Sequence, residues 1–166
     1  MGRNGAFWGM GLPGKSMAQS GTTVYSGRFE HTLDDKNRLT IPSVWRWVHA
    51  DTETFLAIPH PDNYIAVLPP ARVEKLLAQA SDMKLSDREA QAVKAHIFSN
   101  ALSFTFDKQG RFGVSADLLR HAGVAKDAVL SGMGDHFTIL SPARWTEMQR
   151  ATTGENFGDM MRRIGL

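Results

Sequence analysis

The chain has 166 residues, of which 42% are hydrophobic, 19 are Lys or Arg, 17 are Asp or Glu and none is Cys. That length and apolar share suit one ordinary domain or two small packed modules, and the lack of cysteine excludes disulfides, thiolate metal sites and a cysteine nucleophile. No apolar run approaches the roughly 18 residues that span a bilayer, and a net charge of +2 with a pI of about 9.1 leaves a nucleic-acid partner to be decided by how charge clusters, not by its sum.

Residues 1–22 are rich in Gly and Ser, with Phe7, Trp8 and Met10 among them, and are expected to form a flexible extension. They lack the apolar core of a signal peptide, and Ala6 stands where myristoylation favours Ser or Thr. Val24 to Leu33 alternates around Tyr25, Phe29, His31 and Leu33 and predicts a strand. A turn at Asp34–Asn37, a short strand over Leu39–Ile41 and a short helix over residues 43–48, opened by Pro42, follow. Thr54–Ile58 and Tyr64–Leu68 read as strands joined by the turn formers His60-Pro61-Asp62-Asn63. Pro70 opens a helix whose stripe of Val73, Leu76, Leu77 and Ala80 is expected to face the core. Ser86-Asp87-Arg88-Glu89 reads as a capping box, with Ser86 as cap, for a helix from about 87 to 98 that buries Ala90, Val93 and Ile97.

The second half repeats this order. Strands are expected over Ala101–Phe106 and Arg111–Val114, with a turn at Asp107–Gly110 between them. A short helix over Ala116–His121 ends at Gly123, a left-handed cap. Strands over Ala128–Ser131 and Phe137–Leu140 flank Gly132-Met133-Gly134-Asp135. Pro142 opens a helix carrying Trp145 and Met148 that Gly154 breaks, and Phe157, Met160, Met161 and Ile164 mark a last short helix. Trp45, Trp47 and Trp145 are expected in the core, where large aromatics mostly lie.

The spacing of landmarks shows a duplication. Asp34 and Asp107 are separated by 107 − 34 = 73 residues, Arg38 and Arg111 by 111 − 38 = 73, and Pro70 and Pro142 by 142 − 70 = 72. Residues 23–99 and 100–151 therefore read as two copies of a β-turn-β-α-β-β-α module, with 152–166 as a C-terminal helical tail. Neither copy buries much surface alone. The expected fold is α+β, with the two copies paired about a pseudo-twofold axis into one β-rich core with helices outside.

Within each turn, Gly110 adopts positive φ freely and Asn37 is the best non-glycine substitute. Asp34 and Asp107 accept N–H bonds across their own loops. Lys36, Arg38, Lys108 and Arg111, with Arg28 beside them, would then form a basic surface suited to phosphates and, for Arg, to the guanine edge in the major groove. A single Asp-x-x-x-Arg hairpin is ordinarily a solvated, salt-bridged loop. Its recurrence in two otherwise diverged copies shifts the reading towards double-stranded DNA as partner.

Enzymatic readings find little support. The six histidines include no pair at i, i+3 or i+4, Gly9-Met10-Gly11 and Gly132-Met133-Gly134 lack the setting of a dinucleotide loop, and Ser131-Gly132 is no nucleophile elbow. No catalytic residue, metal, cofactor or small-molecule substrate is expected. The alternative to a DNA binder is an assembly protein whose basic turns are merely solvated.

The segments Phe29-Glu30-His31-Thr32-Leu33-Asp34-Asp35-Lys36-Asn37-Arg38-Leu39-Thr40-Ile41-Pro42, Phe106-Asp107-Lys108-Gln109-Gly110-Arg111 and Gly132-Met133-Gly134-Asp135 resemble the MraZ family of bacterial transcription regulators, over about Gly27 to Met148. The resemblance implies the swapped-hairpin β-barrel of the SpoVT/AbrB superfamily and assembly of the chain into homo-oligomeric rings. It also implies cytoplasmic, nucleoid-associated binding to short repeats ahead of the cell-division and cell-wall gene cluster, repressing that cluster and the protein's own promoter. The family's Asp-x-Lys-Gly-Arg motif falls on Asp34, Lys36, Asn37 and Arg38, and its second copy on Asp107, Gly110 and Arg111. This chain departs from the pattern at Asn37, at Val114-Ser115 where the first copy has Ile41-Pro42, and in its long N-terminal extension.

Overall fold

The structure is a computed structural model describing residues 23–153 and 156–166; the expected extension over 1–22 and the expected break at Gly154 lie outside the described residues. The first half contains β1 (Arg28–Thr32), β2 (Arg38–Thr40), α1 (Ser43–Arg46), β3 (Phe55–His60), β4 (Tyr64–Leu68), α2 (Pro70–Ser81) and α3 (Arg88–Ser99). The second contains β5 (Leu102–Phe104), β6 (Arg111–Gly113), α4 (Ala116–Ala122), β7 (Asp127–Gly132), β8 (Phe137–Leu140), α5 (Pro142–Thr152) and α6 (Asn156–Arg163). The class is α+β, as the sequence predicts.

Local chemistry sets most boundaries. Pro70 and Pro142 occupy the first helical turns of α2 and α5, where the missing N–H costs nothing. The Ser115 and Ser141 hydroxyls cap α4 and α5, accepting from Leu118 N–H at 3.3 Å and Arg144 N–H at 3.1 Å. Gly123, at φ 66°, ends α4 in the left-handed conformation expected of it. The first strand is shorter than its alternation suggests because Gly27 has φ 96°. Tyr25 is still buried and still paired, its N–H reaching Gly134 O at 2.7 Å, but only as an isolated bridge.

The strands form an antiparallel six-stranded sheet in the order β1-β7-β8-β4-β3-β5 and a separate two-stranded ribbon, β2-β6. The sheet order is a palindrome under exchange of the two halves: β1 with β5, β7 with β3, and β8 with β4. Each half's first strand pairs with the other half's hairpin, β1 with β7 and β5 with β3, so neither copy completes its sheet alone. The pairing Ile65↔Ile139 and Ala66↔Thr138 across β4–β8 and Leu39↔Phe112 across β2–β6 place the pseudo-twofold at the centre of both sheets. The barrel expected from the family resemblance is not closed: β1 and β5 are the two free ends of the sheet. The ribbon strands β2 and β6, three residues each, pair with each other and with neither end of the larger sheet.

The core fills the space between ribbon and sheet. Leu39, Ile41, Phe112 and Val114 pack on Ile65, Val67, Ala128, Leu130, Phe137 and Ile139, all fully or nearly fully buried. Trp45 of α1 joins them, and its indole N–H donates to Ser26 O at 3.0 Å, which satisfies its one polar atom. A smaller cluster of Tyr64, Ala66 and Leu140 lies under Ile58, Trp145 and Met148. Two arginines clasp the halves reciprocally. Arg144 of α5 donates from Nε to Asp62 O in the β3–β4 turn at 2.8 Å. Arg72 of α2 lies 3.1 Å from Asp135 in the β7–β8 turn, as an ion pair outside hydrogen-bond geometry.

Four expectations about the helices fail. Of the α2 stripe only Ala80 is buried, and Leu77 is half exposed. Helix α3 buries nothing, and Val93 is exposed. These two helices instead border an open groove of about 460 Å³ lined by Leu77, Ala80, Lys94, Ala95 and Phe98. Among the described residues, no layer lies above their apolar faces. The cap of α3 is Asp87, not Ser86: its carboxylate accepts from Ala90 N–H at 3.0 Å, which moves the helix start one residue on. Trp47, at the C-terminal end of α1, is 77% exposed, because a helix of four residues turns only Trp45 inward.

Candidate nucleic-acid interface

The two turns that the repeat singled out have the same construction, atom for atom. In the first, Asp34 Oδ1 accepts from Lys36 N–H and Arg38 N–H, both at 2.9 Å, and Oδ2 accepts from Arg38 Nε at 2.6 Å. In the second, Asp107 Oδ1 accepts from Gln109 N–H at 2.9 Å and Arg111 N–H at 2.8 Å, and Oδ2 accepts from Arg111 Nε at 2.9 Å. Backbone bonds close each loop: Asn37 N–H to Asp34 O at 3.0 Å, and Gly110 N–H to Asp107 O at 2.9 Å. The third loop residue takes positive φ in both, 55° at Asn37 and 75° at Gly110. Asn tolerates this region through its short polar side chain and Gly through having none.

The aspartates therefore do more than shape the loop. Each also grips its own arginine, the salt bridge ordinary to such a loop. Backbone N–H bonds, led by that of the arginine, and the guanidinium hold both carboxyls below the usual aspartate range, so the clamp is charged throughout neutral conditions. Gripping Nε orients the guanidinium and leaves its Nη edge, the edge that pairs two-pronged with guanine or phosphate. Among the described residues the Arg38 Nη atoms have no partner, whereas Arg111 Nη2 also donates to Gln109 Oε1 at 3.2 Å.

The ribbon brings the two arginines together. Leu39 and Phe112, opposite each other and 0% and 3% exposed, form its inner face. Alternation then puts Arg38, Thr40, Arg111 and Gly113 on the outer face. Arg38 pairs with Gly113 and Arg111 with Thr40, so the two arginines sit on a diagonal about 8 Å apart across the pseudo-twofold. Gly113 leaves room for the Arg38 stem, whose Cγ lies 3.9 Å from where a Cβ would stand. Lys36 and Lys108 are exposed at the loop tips, with Asp35 exposed beside Lys36.

Arg28 is placed elsewhere. It is exposed on β1, six residues from Asp34, or about 20 Å of extended strand. Its guanidinium lies over the Trp145 ring, 5.5 Å from the centroid. The structure thus gathers Arg38 and Arg111, with Lys36 and Lys108 at the tips, and leaves Arg28 apart. Sequence reasoning missed Arg46, whose Nε donates to Ile41 O at 2.9 Å and whose guanidinium covers Gly110. Among the described residues, no group of three or more His, Asp or Glu is placed to hold a metal, and no helix is long and apolar enough to cross a membrane.

An internally duplicated α+β chain, with a two-stranded ribbon that presents a pair of clamped arginines on its outer face, belongs to the class of β-ribbon proteins with a basic outer face. Residues 24–96 and 97–164 each match the family described as "MraZ protein, putative antitoxin-like". A protein of Leuconostoc citreum (strain KM20) named "Transcriptional regulator MraZ" is 34% identical over 137 residues, covering 82% of this chain and 94% of that one. Another of the same name from Mycobacterium sp. (strain KMS) is 35% identical over 134 residues, covering 81% and 92%, and one from Roseiflexus castenholzii (strain DSM 13941 / HLO8) is 32% identical over 128 residues, covering 77% and 88%. The chain belongs to the MraZ family, whose named relatives are transcriptional regulators.

Proposed function

We propose that this chain is a non-enzymatic, DNA-binding transcriptional regulator that lays the outer face of its β2–β6 ribbon against double-stranded DNA. The observation that carries the reading is the twofold pair of turns in which an aspartate holds its arginine by Nε on the outer face of the ribbon. A two-stranded ribbon fits the major groove of B-DNA. Arg38 and Arg111 would meet base edges, while Lys36 and Lys108 meet phosphates and supply most of the affinity. Asp34, Asn37, Asp107 and Gly110 shape the loops. Arg28, remote from the ribbon, contributes at most a flanking phosphate contact.

The family resemblance extends the proposal to the target: short repeats ahead of the cell-division and cell-wall gene cluster, whose transcription, together with the protein's own, is repressed on the nucleoid. The two copies, taken as 23–99 and 100–151, act as a covalent pseudo-dimer of swapped-hairpin type, a reading supported by the palindromic strand order. Further copies of the chain are the proposed cover for the open helical faces. Leu77 and Val93 beside the α2–α3 groove, Phe157 and Met160 on α6, and Ile164 just after it are all exposed. A ring built in this way gains avidity on repeated sites, by about 10² to 10⁴ where geometry permits.

The test is a titration with duplex DNA across a salt series. Phosphate contacts give a linear fall of log K with log salt, with a slope of about −0.9 per neutralised phosphate. Binding that is absent, or indifferent to salt, would refute the reading and favour an assembly protein with solvated turns.

A further inference from the structure

The two turns share one hydrogen-bond plan but not one environment. Gly110 is buried, whereas Asn37, its counterpart, is exposed. The difference is Arg46. A Cβ built on Gly110 would collide with the Nη1, Cζ and Nε atoms of Arg46 together, that is, with the whole plane of its guanidinium. That plane is fixed from behind, since Nε donates to Ile41 O at 2.9 Å and Ile41 N–H donates to Gly110 O at 2.9 Å. Arg46, Ile41 and Gly110 thus close a ring of contacts joining α1 of the first half to the turn of the second. Among the described residues the first turn has no such support. The position equivalent to Arg46 is 46 + 73 = 119, a leucine 6% exposed within the core. The mirror bond survives there, Val114 N–H to Asn37 O at 2.9 Å, but Asn37 itself is exposed.

We infer that Arg46 is a positioning residue for the second turn, which it clamps against α1 and whose glycine it favours for as long as it keeps its own bond to Ile41 O. Two separate demands then act on residue 110. Positive φ alone admits Asn, as Asn37 shows at 55°. The Arg46 plane admits a side chain only by swinging aside, which gives up its bond to Ile41 O. The consequence is an asymmetric recognition surface. The second turn is stiffened before it meets a ligand and loses little freedom on binding, while the first is held only by its own Asp34 and adapts. This assignment rests on the ribbon as the DNA-binding face only for its functional consequence; the contact between Arg46 and Gly110 stands without it.

The test is a double-mutant cycle between Gly110→Asn and Arg46→Ala, with Arg46→Lys as a second variant that keeps the charge and narrows the head. Two readouts are taken, the backbone amide NMR signals of Lys108 to Arg111 in the free protein and affinity for duplex DNA. Gly110→Asn is expected to displace those four signals and weaken binding roughly tenfold, a coupling typical of residues in direct contact. In the Arg46→Ala background the same change should move the signals little and alter affinity by less than about threefold. The equivalent signals of the first turn, Asp35 to Arg38, and the unfolding midpoint should stay unchanged, which separates local positioning from general destabilisation. Equal displacement by Gly110→Asn whether residue 46 is Arg, Lys or Ala would overturn the inference. Coupling in the amide signals without any DNA binding by the parent protein would uphold the clamp and refute the DNA reading.

Discussion

Replacing Arg38 by Ala and Arg111 by Ala should weaken DNA binding unequally. In both turns Nε is occupied by an aspartate, and the Nη edge remains for the ligand. The Arg38 Nη atoms have no other partner among the described residues, whereas Arg111 must release the 3.2 Å bond from Nη2 to Gln109 before using that nitrogen. A base-reading arginine is worth about 1–3 kcal/mol, or roughly 5- to 150-fold in affinity. Arg38→Ala should fall in the upper part of that range and Arg111→Ala nearer its lower end, because part of what Arg111 gains from DNA it gives up at Gln109. The two arginines lie about 8 Å apart, so the double variant should be close to additive. Fluorescence anisotropy on a bound duplex reads the affinities, and circular dichroism checks that each variant is folded, as expected for side chains 30% and 29% exposed. The reasoning fails if both variants bind as tightly as the parent. It also fails if Arg111→Ala is the more damaging, which would mean that Gln109 orients its arginine for DNA and does not compete with it.

Leu39→Ala empties the inner face of the ribbon on the pseudo-twofold, where Leu39 is fully buried opposite Phe112; a loss of about 2–5 kcal/mol in urea unfolding is expected, and a loss below about 1 kcal/mol would show that the ribbon is not part of the core. Acid should release the turns: Asp34 and Asp107 titrate below the usual aspartate value of 3.8, so their support is complete above that value and disappears as pH falls through the lower folded one. The Lys36 and Gln109 amide signals, followed downward from pH 5, should hold their positions past the range where a free aspartate has already protonated. Asn37→Gly should leave the first turn intact while Asn37→Val disrupts it, because a β-branched residue is strained at φ 55°; equal DNA affinity for the two variants would contradict this.

Several features were legible in the sequence because local chemistry decides them. The 73-residue interval between the Asp and Arg pairs is the pseudo-twofold, and it recurs in the pairing of Leu39 with Phe112, which are themselves 73 apart. Pro70, Pro142 and Gly123 stand at helix ends because their backbone preferences allow little else. What was not legible depends on contacts between distant residues. Nothing in the Arg28–Thr32 segment reveals that its partner is β7 in the other half. The guanidinium of Arg46 meets Gly110 across 110 − 46 = 64 residues, so the requirement for glycine there looked like a matter of φ alone. The apolar stripes of α2 and α3 have the period of buried faces, but periodicity does not say whether the covering layer belongs to the same chain. Trp47 was misplaced by a rule about residue type, when the geometry of a single helical turn admits only Trp45 to the core.

In the proposed function, the outer face of the β2–β6 ribbon reads DNA sequence through its clamped arginines. Selection of bound duplexes from a random pool, run side by side on the parent protein and on Arg38→Ala, tests it most directly. The parent should enrich a short motif, and the variant should retain weaker, salt-sensitive binding while losing preference at one position of that motif. Failure of the parent to enrich any motif, or enrichment of the same motif with the same stringency by Arg38→Ala, would contradict it.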